Sequence, residues 1–97
     1  MAKGYWMTAY REILDADKLA AYVALAADAV QANGGRFLVR GGQMESKEHA
    51  VAERTVLVEF DSYADALATY SSPAYQKALE ALDGGVVRDL RIVEGVD

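Results

Sequence analysis

The side chains with the clearest chemical potential are a histidine, a glutamate and an arginine. His49 is the one histidine of the chain, and because imidazole titrates near neutrality it could act as a general base. Glu59 could abstract a proton from a bound substrate, and Arg40 could hold a substrate carboxylate. We therefore take Glu59 and His49 as candidate catalytic residues, with Arg40 as a candidate anion ligand.

Each of these residues also has a simpler interpretation. His49 lies in a polar run with Ser46, Lys47 and Glu48, where a histidine is ordinarily just solvated. Period-two alternation could point Arg40 and Glu59 to the same side of a sheet, where opposite charges commonly form an ion pair. Catalysis at these positions therefore depends on where the strands place them.

Three aromatic residues are candidates for the wall of a ligand pocket. Trp6 and Tyr10 lie on one predicted strand and could contact a planar molecule. Tyr75 lies near the start of a helix, where its hydroxyl could cap a cleft. Packing at a sheet interface is the competing explanation for the first two, and anchoring of the helix to the sheet for the third. All three are candidate ligand-binding residues, together with Arg40.

The sequence contains no recognisable metal or cofactor motif. Cysteine is absent, and Glu45, Glu48 and Glu53 have no ligand spacing with His49 that a helix or strand would fix. A phosphate-binding glycine-rich loop, a nucleophile elbow and a metalloprotease motif are also absent. We therefore predict no metal site and no cofactor.

The elements that must position these residues follow the order βαββαβ. Four segments rich in β-branched and aromatic residues predict strands, and apolar residues at three- and four-residue steps predict helices. Ser72 and Pro73 interrupt the second helix, because proline favours the first position of a new one. The predicted strands span residues 3–10, 36–40, 54–60 and 86–94, and the helices span 17–33 and 62–83. The α+β class follows, with a charged loop over 43–53.

Both faces of the predicted sheet are partly apolar. One set is expected to pack under the helices: Tyr5, Met7, Ala9, Phe37, Val39, Val56, Val58, Phe60, Leu90 and Ile92. The other set is Trp6, Thr8, Tyr10, Arg36, Leu38, Arg40, Thr55, Leu57, Glu59, Asp89, Arg91 and Val93. Exposed aromatic and aliphatic side chains usually mark an interface, so we predict a homodimer through this second face. A bulge or a one-residue slip would exchange the faces of a strand.

Composition limits the class of protein further. With 97 residues the chain is long enough for one hydrophobic core, so we expect a single domain over residues 1–97. A net charge of −5 disfavours nucleic acid and anionic membranes as partners. The lack of cysteine, of a secretion signal and of a long apolar run is typical of a cytoplasmic protein.

Several sequence blocks together resemble the uncharacterised family DUF1330. They are KGYW at 3–6, GGRFLVRGG at 34–42, the strand from Arg54 to Phe60, SPAYQ at 72–76, and EG at 94–95. The resemblance implies a ferredoxin-like dimeric α/β barrel, with an antiparallel sheet and helices on one face. Small cofactor-independent monooxygenases, haem-degrading enzymes, lactone isomerases and ligand-sensing domains share that fold. No agreed activity is implied, and the segment 43–53 matches the family pattern least well.

Three hypotheses about function remain open at this point. The first is a homodimeric protein that binds a small aromatic or carboxylate ligand in a cleft of the sheet. The second is a cofactor-independent monooxygenase or isomerase, with Glu59 or His49 as base, Arg40 as anion ligand and Trp6 as pocket wall. The third is a structural or stress-associated dimer without a ligand. No motif identifies a substrate.

Overall fold

A computed structural model describes residues 2–97 and has the βαββαβ order that the sequence predicts, with the second helix divided in two. The strands are β1 (Gly4–Ile13), β2 (Arg36–Arg40), β3 (Thr55–Phe60) and β4 (Val86–Glu94). The helices are α1 (Ala16–Ala32), α2 (Tyr63–Ser71) and α3 (Pro73–Leu82). All strand pairs are antiparallel, and the sheet order is β2-β3-β1-β4. This arrangement is the ferredoxin-like α+β fold.

Side-chain caps fix where the helices begin. The Asp15 carboxylate accepts hydrogen bonds from the backbone N–H groups of Asp17 and Lys18, at 3.0 and 3.1 Å. Ser72 caps α3 with Pro73 at its first turn, which confirms the predicted interruption of the second helix. The longest helix, α1, has 17 residues. Within residues 2–97, none of the helices combines the length and apolarity that crossing a membrane requires.

The core lies between the helices and one face of the sheet, and β1 contributes a different set of residues than expected. Trp6 and Tyr10 are each only 3% exposed and face the helices, whereas Met7 is 50% exposed on the other side. The predicted faces of β1 were therefore wrong. Both faces of this strand are apolar, so alternation alone could not orient it. Cross-strand pairing determines the orientation of β1, because Trp6 lies opposite Val58 and Ile92, which do belong to the core face.

A β-bulge exchanges the expected faces of two residues on β2. Phe37 lies opposite Val58 and Val39 lies opposite Leu57, so Leu38 is an extra residue in the strand. Val39 therefore lies on the face away from the helices. Arg40, which we had assigned to that outer face, lies on the helix-facing side.

The other side of the sheet, which we call the open face, is not covered by any helix of residues 2–97. Its centre is formed by Met7, Ala9, Val39, Leu57 and Val93, which surround a shallow hollow. The charged residues on this face include Arg36 and Glu59 near one end and Asp89 and Arg91 along β4, with Arg11 in an ion pair with Asp89. The open face is thus an apolar strip with charged margins.

Candidate functional site

A narrow cleft lies between α1 and the helix-facing side of the sheet. Its cavity volume is about 40 Å³, within about 460 Å³ of unfilled space that includes its open mouth. The lining residues are Trp6, Thr8, Tyr10, Tyr22, Val23, Ala26, Ala27, Val30, Phe37, Arg40, Arg54, Val56, Val58 and Arg88. The walls are therefore mainly aliphatic and aromatic, and the charged groups among them are all arginines.

The register of the sheet brings these arginines together. The Tyr10 backbone N–H donates to the Arg54 carbonyl at 2.9 Å, and Tyr10 lies opposite Arg88 on β4. Arg54, directly before β3, and Arg88, on β4, therefore flank Tyr10 from the two sides of β1. Arg40 lies opposite Val56, one step away along the sheet. Three guanidinium groups thus reach one cleft from three different strand segments.

Arg88 forms the inner end of the cleft together with three buried tyrosines. Its Nη1 donates to the hydroxyls of Tyr10 and Tyr22 at 3.2 and 3.1 Å, and its Nη2 donates to the Tyr75 hydroxyl at 3.3 Å. The guanidinium carbon also lies 4.8 Å from the centre of the Tyr22 ring, a cation–π distance. A 2.6 Å hydrogen bond joins Tyr22 and Tyr75. The inner end is therefore held by α1, α3, β1 and β4 together.

Arg40 and Arg54 form the outer end of the cleft. The Arg54 Nε is buried but has no hydrogen-bond partner within residues 2–97. The Arg40 guanidinium carbon lies 3.8 Å from the centre of the Phe37 ring, and the Arg40 side chain is exposed. Stacking on Phe37 holds this charge at the mouth and leaves its N–H groups available to a ligand.

The cleft is a positively charged site in an acidic protein. Ion pairs elsewhere join Arg11 to Asp89 and Lys18 to Asp83. In the described part of the chain, no such pair involves Arg40, Arg54 or Arg88, and the lining contains no aspartate or glutamate. The chain has 15 acidic and 10 basic residues, so carboxylates are in excess. A shortage of carboxylates therefore does not explain why these three arginines have no ion-pair partner. The arrangement is suited to binding an anion.

The protonation states of the inner end fit that role. Burial, reinforced by the neighbouring Tyr22, raises the pKa of Tyr75 above its usual range, so its hydroxyl keeps its proton. Burial by itself would lower the pKa of Arg88, but the contacts with Tyr22 and Tyr75 outweigh it and the pKa lies above its usual value. The inner end therefore consists of hydroxyl donors and a permanent cation.

The structure places the four predicted ligand-binding residues at or behind this cleft. Trp6, Tyr10 and Arg40 line it. Tyr75 lies behind the lining, where its hydroxyl is hydrogen-bonded to the lining residues Arg88 and Tyr22. Trp6 was expected on the dimer face, but it is buried under the helices and its Nε1 donates to the Ala66 carbonyl of α2 at 2.9 Å. The cleft thus lies on the opposite side of the sheet from the one we had expected to carry these residues.

Glu59 lies on the open face, away from the cleft. It accepts a hydrogen bond from the Tyr5 hydroxyl at 3.0 Å and forms an ion pair with Arg36 at 3.1 Å. The hydrogen bond from Tyr5, with Arg36 beside it, lowers the pKa of Glu59 despite opposition from burial. The expectation that Arg40 and Glu59 share a face was therefore wrong, because the bulge in β2 turns Arg40 to the other side.

His49 lies on the connection between β2 and β3. Its side chain is exposed, and in the described part of the chain it forms neither a hydrogen bond nor an ion pair. It also lies outside the lining of the cleft. The structure therefore does not bring His49, Glu59 and Arg40 together.

Sequence reasoning missed Arg54, Arg88 and Tyr22. A signal was present for both arginines, because period-two alternation puts Arg88 in phase with Leu90 and Ile92, and Arg54 in phase with Val56. An arginine that shares the phase of core residues must either have a partner or line a cleft. Tyr22 carried no comparable signal, since a tyrosine on the apolar face of a helix looks like any other core residue.

Comparison with solved structures supports the fold. A protein of unknown function from Rhodopseudomonas palustris has a TM-score of 0.78 at 16% identity, with coverage of 99% of this chain and 84% of that one. A Caulobacter crescentus protein, provisionally described as an antibiotic biosynthesis monooxygenase, has a TM-score of 0.63 at 19% identity, with 99% and 91% coverage. A dimeric ferredoxin-like protein of unknown function from Bacteroides fragilis has a TM-score of 0.55 at 15% identity, covering 95% of both chains. At such identities the likeness concerns the fold alone.

Sequence comparison identifies the family but no activity. No curated protein matches the chain significantly. The family model described as "Domain of unknown function (DUF1330)" matches residues 3–96, which is nearly the whole chain and includes every residue of the cleft. The resemblance seen in the sequence blocks is thereby confirmed. This chain belongs to the DUF1330 family.

Proposed function

We propose that this protein is a homodimer that binds a small organic acid in the cleft between α1 and the sheet. One observation carries the proposal: Arg40, Arg54 and Arg88 line a largely apolar cleft, and among residues 2–97 none of them has a carboxylate partner. A guanidinium binds a carboxylate with two parallel hydrogen bonds, and the apolar walls favour a hydrocarbon or aromatic body. A carboxylate with such a body fits both features.

The dimensions of the cleft set the size of the ligand. A cavity volume of about 40 Å³ holds only a few waters, so a ligand must use the wider mouth as well. Arg40 is exposed at this mouth, and moving its guanidinium off the Phe37 ring costs about 0.5–1 kcal/mol, the value of an exposed cation–π contact. The expected ligand is therefore a molecule of one ring or a short chain, admitted by movement of Arg40.

The homodimer proposal rests on the open face. Met7 is 50% exposed and Val39 39% exposed, and both flank Leu57 in the middle of an uncovered sheet. A two-fold axis through this strip would bury the apolar residues against their own copies. A Bacteroides fragilis protein of similar fold is described as dimeric. Self-association would leave the cleft free, because the cleft is on the other side of the sheet.

Binding is better supported than catalysis by the geometry. Monooxygenation or isomerisation of an acidic ligand would need a base to remove a proton. The cleft lining supplies none from residues 2–97, since Glu59 lies on the open face and His49 on the β2–β3 connection. The groups that do line the inner end are hydrogen-bond donors, which hold an anion without accepting a proton from it.

The test uses matched pairs of acid and amide. We expect benzoate and salicylate to raise the thermal unfolding midpoint and to give a calorimetric binding signal, and benzamide to do neither. Arg54→Gln should weaken acid binding about ten-fold or more, since hydrogen bonds to charged groups contribute about 1.5–3 kcal/mol. Lys77→Gln removes the same charge from α3, outside the cleft, and should bind like the wild type.

Two results would contradict the proposal. One is equal binding of benzamide and benzoate, which would mean that the arginines do not select an anion. The other is a loss of affinity in Lys77→Gln as large as that in Arg54→Gln, which would point to a general effect of net charge.

A further inference from the structure

We infer that the cleft takes a dianion, with one carboxylate bound at the inner end by Arg88 and its tyrosines and a second bound at the outer end by Arg40 and Arg54. This inference rests on the proposed function and specifies its ligand class. It follows from the number of hydrogen-bond donors at the inner end, from an unpartnered donor at the outer end, and from the distance between the two.

The inner end has more hydrogen-bond donors than acceptors. Tyr10, Tyr22 and Tyr75 each have one hydroxyl proton, and the bond between Tyr22 and Tyr75 uses one of the three. Arg88 donates to all three hydroxyls and accepts from none. No carbonyl or carboxylate within residues 2–97 accepts a hydrogen bond from these side chains. Two hydroxyl protons therefore await an acceptor, and a carboxylate provides it.

The outer end has its own unpartnered cations. The Arg54 Nε is buried without a partner, which is unusual for so polar a group. Arg40 adds a second guanidinium at the mouth. It stacks on the Phe37 ring, and within residues 2–97 it forms no ion pair. A monoanion bound by Arg88 would leave the buried Arg54 Nε without a partner.

The positions of the two ends define the spacer between the anionic groups. Arg54 and Arg88 lie on either side of β1, so their backbones are separated by two strand spacings, or about 10 Å. Both side chains line the same cleft. A diacid with one ring or a short aliphatic chain between its carboxylates can therefore offer one carboxylate to each of these arginines.

The experiment compares ligands of the same shape that differ by one charge. Isothermal titration of wild-type protein with isophthalate and 3-carbamoylbenzoate, and with glutarate and its monoamide, should show each diacid binding about ten-fold more tightly or better. In Arg54→Gln and in Arg40→Gln this difference should shrink, because the diacid loses more affinity than the monoamide. Tyr10→Phe, at the inner end, should weaken diacid and monoamide alike.

The outcomes separate this inference from the proposed function. If monoamides bind as tightly as diacids and Arg88 and Tyr10 variants lose both, the dianion is wrong but a monoanion site stands. If inorganic phosphate binds more tightly than any diacid, one anionic group suffices and the inference fails. If neither acids nor diacids bind, the proposed function itself fails. Lys77→Gln is the control and should retain the wild-type preference for diacids.

Discussion

The hydroxyl oxygens of Tyr22 and Tyr75 lie 2.6 Å apart in a buried hydrogen bond that joins α1 to α3. Arg88 on β4 donates to both hydroxyls. Two helices and an edge strand that are far apart in sequence are thus connected at the inner end of the cleft. These hydrogen bonds connect the two helices to the sheet, so the cluster contributes to stability as well as to the site.

Removal of these hydroxyls should therefore destabilise the fold in a coupled way. We expect Tyr22→Phe and Tyr75→Phe each to lower the free energy of unfolding by about 1–2 kcal/mol, since each leaves a buried partner unsatisfied. The double variant should lose less than the sum, because the second change removes the partner that the first one orphaned. Urea denaturation gives the free energy of unfolding of the two single variants and of the double variant. Strictly additive losses would show that the hydrogen bond carries no coupling energy.

Trp6 should behave as a core residue rather than as an interface residue. It is 3% exposed and donates to the Ala66 carbonyl, so Trp6→Phe should cost about 1–3 kcal/mol through an unsatisfied carbonyl and lost contacts. As the chain has one tryptophan, its emission should be that of a buried indole. Dilution through the dimer dissociation range should leave this emission unchanged, whereas a red shift on dilution would place Trp6 at the interface.

The contacts of Glu59 imply a pH dependence of stability. Its pKa is lowered in the folded protein, so its contribution is present above the usual carboxyl value of about 4.5 and disappears as the pH falls through the lowered value. Below about pH 4.5, wild type should therefore lose stability more steeply than Glu59→Gln. Urea midpoints between neutral and acid pH test this. The control variant Glu80→Gln, on α3, should lose stability with falling pH as steeply as wild type does. If Glu59→Gln also lost stability as steeply as wild type, Glu59 would not contribute to the pH dependence.

The open face should be the self-association surface. We expect Met7→Lys and Leu57→Lys to shift the protein from dimer to monomer, because each places a charge in the middle of the apolar strip. Leu25→Lys on α1 is a matched control, with a leucine that is 44% exposed on a helix instead of on the sheet. Light scattering and sedimentation give the masses. A wild-type monomer, or dissociation by Leu25→Lys alone, would contradict the open face as interface.

Gly4 should not tolerate a side chain. A Cβ at this position would lie 2.5 Å from the Ser62 carbonyl oxygen and 2.7 Å from the Tyr63 Cα, both of which are backbone atoms. We expect Gly4→Ala to cost about 1–3 kcal/mol of unfolding free energy, as overpacking does. Gly34→Ala meets no atom but is strained by its positive φ of 82°, so its loss should be smaller, about 1 kcal/mol. Equal losses would mean that the start of α2 can move away from β1.

The sequence predicted the elements better than it predicted their faces. The interruption of the second helix at Ser72 and Pro73 is a local signal, and the structure confirms it. The orientation of β1 was not a local property, because Trp6 and Met7 are both apolar and only the pairing with β3 and β4 distinguishes them. An antiparallel ladder with uncertain register leaves such a strand free to face either way.

The cleft was harder to predict for a related reason. Its charged residues come from three separate strand segments, and only the sheet register brings Arg54 and Arg88 to either side of Tyr10. The bulge after Phe37 has no signature in the sequence, so Arg40 could not be assigned to the cleft by alternation. Arg54 and Arg88 could have been found, since they share the phase of Val56 and Leu90.

The single inserted residue in β2 governs both surfaces of this protein. If Leu38 paired with Leu57 instead of forming the bulge, Val39 would lie opposite Val56, and Val39 and Arg40 would exchange sides. The cleft would then lose a cation at its mouth, while the apolar strip would receive a charge beside Leu57. Deletion of Leu38 would remove the bulge but keep Val39 opposite Leu57 and Arg40 opposite Val56, so we expect both surfaces to tolerate a strand that is one residue shorter.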